Sequence, residues 1–162
     1  MDFIDKQDDI FLLGYGESSD AYHMSTPHPE GRGAAQAMQA ALDSAGMNAA
    51  DVDYINLHGT ATQSNDSAED KAVVSVFGNR TPASSTKGWT GHTLGAAGIT
   101  EAVFGCLAIK NNFTPVNLNT TDQDPDTNAN IVMQNNTASV TKFISNSFGF
   151  GGSNCSLLIG RI

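Results

Sequence analysis

Two cysteines in 162 residues are too few for a disulfide framework. Their contexts, Gly105-Cys106-Leu107 and Asn154-Cys155-Ser156, lack the paired spacing of a zinc site. A reducing, cytoplasmic setting is the expectation. Long apolar runs are missing as well: the longest, residues 102–109, is far short of the roughly 18 residues a membrane span needs. No basic segment precedes an apolar stretch near the start, so a soluble chain without an evident address is expected. Basic residues are scarce. Eight Lys and Arg face 17 Asp and Glu, a net charge of -9, and residues 1–70 hold 13 of those acids against Lys6 and Arg32. Non-specific nucleic-acid binding depends on neutralising phosphates with Lys and Arg, so this balance argues against it. Solvated surface accounts for the acidic front.

What is present is a composition that is 40% hydrophobic and 15% charged, enough for one domain with its own core. Strand-like and helix-like periods alternate, which marks an α/β layer structure. Residues 10–16 read as a first strand, followed by a loop rich in Pro and His. Ala34, Ala35, Met38, Leu42 and Ala45 then recur at helical spacing up to Gly46, a natural C-terminal stop. Residues 52–57 have the size and β-branched content of a buried strand. Asp66 followed by Glu69 resembles a capping pattern for a second helix ending at Gly78. Residues 83–86 form a small third strand. From 93 to 110 the pattern is a helix apolar nearly all round, with Gly95, Gly98 and Gly105 inside it. Each glycine costs such a helix about 1 kcal/mol relative to alanine, so close approach by neighbouring backbone and burial between layers are expected. Residues 111–130 are polar and irregular, with an extended piece near 116–118. Residues 131–134, 141–147 and 155–159 close the fold as strands, the last two joined by a glycine-rich turn.

Two histidines sit where chemistry usually sits. His58 follows the end of a strand, and His92 follows a strand and loop and precedes a helix. In a parallel sheet both would open onto the crevice beyond the carboxyl ends. The helix starting near Thr93 aims its positive end at His92 and so disfavours imidazolium. A neutral imidazole with one N–H is a donor suited to a developing oxyanion or enolate. Lys87 is placed to pair with Glu69 and set the local field. Taken singly, each also has a plain structural reading: His58 as a core residue bonded to backbone, Glu69 as a cap acid, Lys87 as surface charge. Their combination is what points to a site.

Five motifs stand in register: His58-Gly59-Thr60-Ala61-Thr62, Asp66 through Glu69, Ser85-Thr86-Lys87, Gly91-His92-Thr93-Leu94-Gly95-Ala96-Ala97-Gly98, and Asn146-Ser147-Phe148-Gly149-Phe150-Gly151-Gly152. In order and spacing they resemble the C-terminal half of a β-ketoacyl-acyl-carrier-protein synthase of the elongating type, from about residue 10 to the end. The stretch from Gly16 to Gly31 is similar to that family's loop after the first strand of this half.

The resemblance implies a thiolase-like half-domain, an α/β fold with a mixed five-stranded sheet flanked by helices, over residues 10–162. Residues 1–9 are then a linker or remnant. It implies decarboxylative Claisen condensation of an acyl thioester with malonyl-acyl carrier protein, in fatty acid or polyketide synthesis. On this reading His58 and His92 bind the malonyl thioester carbonyl and stabilise the enolate, while Lys87, with Glu69 in support, organises charge around His58. Thr60 and Thr62 hydrogen-bond the phosphopantetheine arm. Phe150 gates the acyl pocket and lends its backbone N–H to the oxyanion hole. The loop around Met24 covers the site. No cofactor is implied beyond that arm, and no metal.

The family's nucleophilic cysteine lies in the N-terminal half. Cys106, within the apolar helix, and Cys155, at the start of a closing strand, read as buried small hydrophobes. His23, His28 and Glu30 read as loop residues rather than metal ligands, and Trp89 as packing. The expected partners are acyl carrier protein, the missing N-terminal half, and a second subunit, as a homodimer or a ketosynthase-like heterodimer. The alternative is a non-catalytic chain-length-factor subunit, against which retention of both histidines speaks. A thiolase would carry a second cysteine before the glycines, where Phe148 stands, and an initiating enzyme an asparagine where His92 stands. The isolated chain is expected to be inactive, to bind acidic carrier protein weakly, and to expose an apolar face that includes part of residues 93–110.

Overall fold

The computed structural model describes residues 9–162; the expected linker at 1–9 lies almost wholly outside them. Strand β1 (Phe11–Ser19) is followed by helix α1 (Arg32–Ala45), strand β2 (Tyr54–Asn56) and helix α2 (Gln63–Phe77). After β3 (Pro82–Ser84) come the one-turn helix α3 (Lys87–Thr90) and the long helix α4 (Ala97–Asn111). Five short or closing strands complete the set: β4 (Phe113–Thr114), β5 (Asn130–Ile131), β6 (Asn136–Thr137), β7 (Lys142–Gly149) and β8 (Ser153–Gly160). The main sheet has the order β1-β8-β7-β2-β3-β5. β1, β8 and β7 run antiparallel, and β7, β2, β3 and β5 run parallel. The sheet is therefore mixed and helix-flanked, as expected, with six strands among the described residues where the resemblance implied five; the strand read at 131–134 is the two-residue β5. β4 and β6 form a separate ribbon, so the extended piece lies at 113–114 and not at 116–118.

Each helix has a face fixed by its residue spacing. In α1, Ala34, Ala37, Met38, Ala41 and Leu42 are buried, and the helix ends at Gly46 in the left-handed region (φ 64°), where Met47 N–H reaches back to the Leu42 carbonyl at 3.0 Å. It sits directly on β1. A Cβ at Gly16 would lie 2.1 Å from the Ala37 carbonyl oxygen, so only glycine permits this approach. Met38, Leu42, Ile55, Val73, Ile144 and Leu158 make the core between the sheet and α1 and α2. A second core on the opposite face joins Tyr54, Phe143, Ile109 and Val140 beneath α4.

Helix α4 departs from expectation in three ways. It begins at Ala97, after a separate 3-10 turn over Leu94–Ala96. It is not buried between layers of this chain but on one side only: Ala97, Glu101, Ala102, Gly105, Ala108 and Ile109 face the sheet, whereas Ile99, Val103 and Leu107 are exposed, in line with the apolar face expected of the isolated chain. Of the three glycines, Gly105 alone meets a truly tight neighbour, and it is a side chain rather than backbone: a Cβ there would lie 2.0 Å from the Phe143 ring. A second correction concerns α2, which starts at Gln63 after Thr62, so Asp66 and Glu69 lie within the helix and do not cap it. Among the described residues no helix is long and apolar enough to cross a membrane.

Candidate active site

The parallel strands β2 and β3 end on the same side of the sheet, and the residues after them turn toward one another. Leu57 N–H still bonds to the Ser84 carbonyl at 2.9 Å, and then the chain leaves the sheet through His58 and Gly59. Gly59 has a positive φ of 41°, and a Cβ on it would sit 2.5 Å from that of Ser85. The turn is held from below by Glu69 of α2, which is buried. Glu69 Oε1 accepts the His58 N–H and Oε2 the Gly59 N–H, each at 2.8 Å. Asn146 and Asn65 donate to the same two oxygens, each at 3.3 Å. Burial pushes the Glu69 carboxyl up, and these four donors act against it.

The His58 ring meets two others. It lies edge to face with His92, centroids 5.6 Å apart, and tilted against Phe148 at 5.7 Å. Burial, then the neighbouring Lys87 charge, then His92, lower the His58 pKa to about 3, so the ring is neutral across the physiological range. His92 is exposed. Its Nδ1 accepts the Leu94 N–H at 3.3 Å, so the neutral ring carries its proton on Nε2. The helix does not start beside the ring at Thr93, because the 3-10 turn over Leu94–Ala96 stands between His92 and α4.

Lys87 opens α3 and does not pair with Glu69. Its Nζ donates to the His58 carbonyl and to the carboxylate of Glu101, on α4. The reason is geometric: Glu69 lies on the α2 face with its oxygens engaged by N–H groups, whereas Lys87 reaches the α4 face. Glu101 is buried, and burial pushes its carboxyl up while Lys87 opposes that. Sequence reasoning missed Glu101. Its signal was there, as the one acid in a 15-residue helix of otherwise apolar or neutral character up to Lys110.

His58, His92, Thr60, Thr62, Phe148 and Phe150 line one cleft of about 820 Å³. The Thr60 and Thr62 hydroxyls lie 3.0 Å apart, close enough to hydrogen-bond each other. Phe150 stands at the tip of the glycine-rich turn, 85% exposed. The loop after β1 is bonded to that turn: Gly151 N–H donates to the Met24 carbonyl at 2.7 Å and Asp20 N–H to the Gly152 carbonyl at 2.8 Å. Thr60 and His92 also border a second cleft of about 880 Å³, whose other wall carries Asp122, Asp124 and Asp126. His23 and His28 use their Nδ1 atoms to accept the N–H of Ser25 and Glu30 within their own loop. Among the described residues no group of three His, Cys, Asp or Glu is placed to hold a metal ion. Trp89 is exposed, not packed inside, and donates from Nε1 to the Val116 carbonyl at 3.1 Å. Cys106 and Cys155 are half-buried rather than buried, with both thiols pushed up chiefly by burial. Chemically, the cleft offers the neutral His58 ring beside His92, whose Nδ1 is taken up by the Leu94 N–H and whose Nε2 is left as the donor.

Comparison with known proteins bears on the family and the fold. The model of the beta-ketoacyl synthase C-terminal domain matches residues 11–121. The 3-oxoacyl-[acyl-carrier-protein] synthase 2 of Rhizobium meliloti is 45% identical over 154 residues, 93% of this chain and 36% of that protein. The enzyme of the same name from Staphylococcus aureus is 43% identical, over 93% of this chain and 37% of its own length. Among solved structures, a chain from the complex of a ketosynthase with its chain length factor from Xenorhabdus doucetiae superposes with a TM-score of 0.90 at 46% identity, covering 94% of this chain and 39% of that one. A beta-ketoacyl synthase from Burkholderia phymatum superposes with a TM-score of 0.88 at 38% identity, covering 93% and 37%. The chain thus spans little more than a third of the length of the curated relatives it matches. Motif register, a mixed helix-flanked sheet and the family match from β1 onward converge: this chain belongs to the beta-ketoacyl synthase family and carries its C-terminal domain.

Proposed function

We propose that this chain supplies the malonyl-binding part of an elongating ketosynthase, an acyl-transferring enzyme of fatty acid or polyketide synthesis that requires no metal and no cofactor beyond the carrier's phosphopantetheine arm. The observation that carries the reading is the edge-to-face pair of His58 and His92, with His58 held neutral. Decarboxylation breaks the bond between the malonyl carboxylate carbon and the α-carbon. The electron pair passes into an enolate whose charge rests on the thioester oxygen. Two neutral N–H donors aimed at that oxygen stabilise the charge, each by about 3 kcal/mol when preorganised in a dry site. The α-carbon then attacks an acyl thioester held on a cysteine of the N-terminal half, and the cysteine leaves as thiolate.

Lys87 fixes the His58 carbonyl and, through it, the orientation of the ring. Glu69 supports the same turn from the backbone side. Thr60 and Thr62 bind the phosphopantetheine arm along the cleft. Phe150, exposed at the tip of its turn, gates the acyl pocket and offers its N–H to the oxyanion of the condensation step, with the Met24 loop as cover. Acyl carrier protein and the N-terminal half are the partners, and a homodimer or ketosynthase-like heterodimer is the assembly. The setting is cytoplasmic.

The test is direct. Given acyl- and malonyl-carrier protein, the isolated 162-residue chain gives no condensation, and robust turnover would overturn the proposal. A second reading, a chain-length-factor subunit, is favoured by similarity to solved structures of a ketosynthase with its chain length factor. The residue on the small-residue turn of the N-terminal half decides: cysteine makes an enzyme, another residue a factor.

A further inference from the structure

Two of the four donors to Glu69 have no role in the scheme above, and one of them is oriented by a further contact. Asn146, on β7, is fully buried. Its Oδ1 accepts the Ser156 hydroxyl at 2.8 Å, from the residue directly paired with it on β8. That bond fixes the amide, turning Nδ2 toward Glu69 Oε1 at 3.3 Å, with the Met38 sulfur at 3.4 Å on the α1 side. Glu69 Oε1 is the oxygen that receives the His58 N–H. A buried amide whose acceptor end is anchored presents its donor end in one direction only. The four residues thus form a line across β8, β7 and α2 to the turn after β2, from Ser156 through Asn146 and Glu69 to the backbone of His58.

We propose that Asn146 is a positioning residue for His58, acting through Glu69, with Ser156 setting its orientation. The Asn146 amide holds the carboxylate in the rotamer that grips the His58 and Gly59 amides, so that the imidazole emerges at one angle toward His92. This deepens the ketosynthase reading and rests on it for the importance of His58. The geometric claim can be tested without any activity.

In the isotope-labelled 162-residue chain, the backbone amide protons of His58 and Gly59 resonate downfield, as short bonds to a carboxylate require, and Glu69→Gln moves them upfield. Asn146→Leu, close in volume but without a donor, shifts the His58 amide and ring resonances in the same direction as Glu69→Gln. Those of Val73 and Phe77, on the far turns of α2, stay in place. In the Glu69→Gln background Asn146→Leu adds no further His58 shift, since both act on one line of contacts. Ser156→Ala, which keeps the volume nearly unchanged, produces a smaller shift of the same kind and serves if Asn146→Leu does not fold. His58 resonances that match the unsubstituted chain in the folded variant, or shifts that add in the double variant, would overturn the proposal. In a full-length enzyme carrying this domain, the same substitution lowers kcat for malonyl decarboxylation by about tenfold, the loss of one hydrogen bond to a charged group. KM and the rate of cysteine acylation are kept. Absence of decarboxylation before any substitution would count against the ketosynthase reading and leave the positioning result standing.

Discussion

Lys87 is neutralised by Glu101, a partner from the far face of the sheet, with side chains only 8% and 3% exposed. Removing one member of such a pair leaves an uncompensated charge in the interior. Glu101→Ala is expected to destabilise the chain by about 3–5 kcal/mol, and the double replacement Lys87→Met with Glu101→Leu by much less. Urea unfolding of the three variants checks this. Equal losses in single and double variants would contradict it.

His58 makes stability depend on pH in a defined direction. Its folded pKa is about 3, against an ordinary value near 6.5 that the unfolded chain recovers. Between those values the unfolded state binds a proton that the folded state refuses. The contribution of His58 is therefore fully present above about pH 6.5 and is lost as pH falls toward 3, at up to about 1.4 kcal/mol per pH unit. The raised Glu69 and Glu101 carboxyls work the opposite way, toward greater stability in acid. His58→Gln isolates the histidine part: the stability gap between it and the unsubstituted chain narrows or reverses on acidification from about pH 7 to 5. The His58 ring proton, followed by NMR, shows no midpoint in that range.

Gly105 is a steric requirement of α4. Alanine there gains about 1 kcal/mol of helix propensity, yet its Cβ would overlap the Phe143 ring. Gly105→Ala is expected to lower stability by about 1–3 kcal/mol, the usual cost of overpacking. Adding Phe143→Leu to it recovers part of the loss. Denaturant midpoints measure both steps, and a Gly105→Ala variant more stable than its parent would show that the ring yields freely.

Ile99, Val103 and Leu107 recur every four residues and are 68%, 52% and 43% exposed, with Leu94 close by in sequence at 76%. An apolar stripe of this kind on an isolated chain favours self-association. Sedimentation velocity is expected to show concentration-dependent oligomers that Val103→Glu and Leu107→Lys together disperse, with the circular dichroism of the chain unchanged. A strictly monomeric parent would refute the expectation.

Much of this architecture was legible in the residues. Ala34, Met38 and Leu42 gave α1 its inner face, and Gly46 its end, because these are local rules of spacing and backbone freedom. The convergence of His58 and His92 followed from their places after parallel strands. The partner of Lys87 was not legible: Glu69 and Glu101 are both buried acids, and only the opposite placement of α2 and α4 about the sheet separates them. The half-exposure of α4 was legible through the resemblance to half of a larger domain, and not through its periodicity. A helix apolar all round reads as buried, but periodicity does not say whether the covering surface belongs to the same stretch of chain. Asn146 was passed over because a polar residue inside a strand carries no periodic signal, and its meaning lies in Ser156 beside it and Glu69 above.

The pairing of β1 with β8 joins the first strand of the sheet to the last, from Phe11 opposite Gly160 to Ser19 opposite Ser153. Of the strands of this sheet, β1 comes first in chain order and its neighbour β8 last. The strand that separates it from β7 must be inserted between two segments already synthesised. Until then Gly14 and Gly16 can dock on α1, but the ladder edge of β1 stays open. Such long-range closure slows folding and leaves a strand edge free to recruit the wrong partner. Strand β8 thus acts as the latch of the sheet, and synthesis that stalls before Ser153 leaves a nascent chain prone to exchange strands with its neighbours.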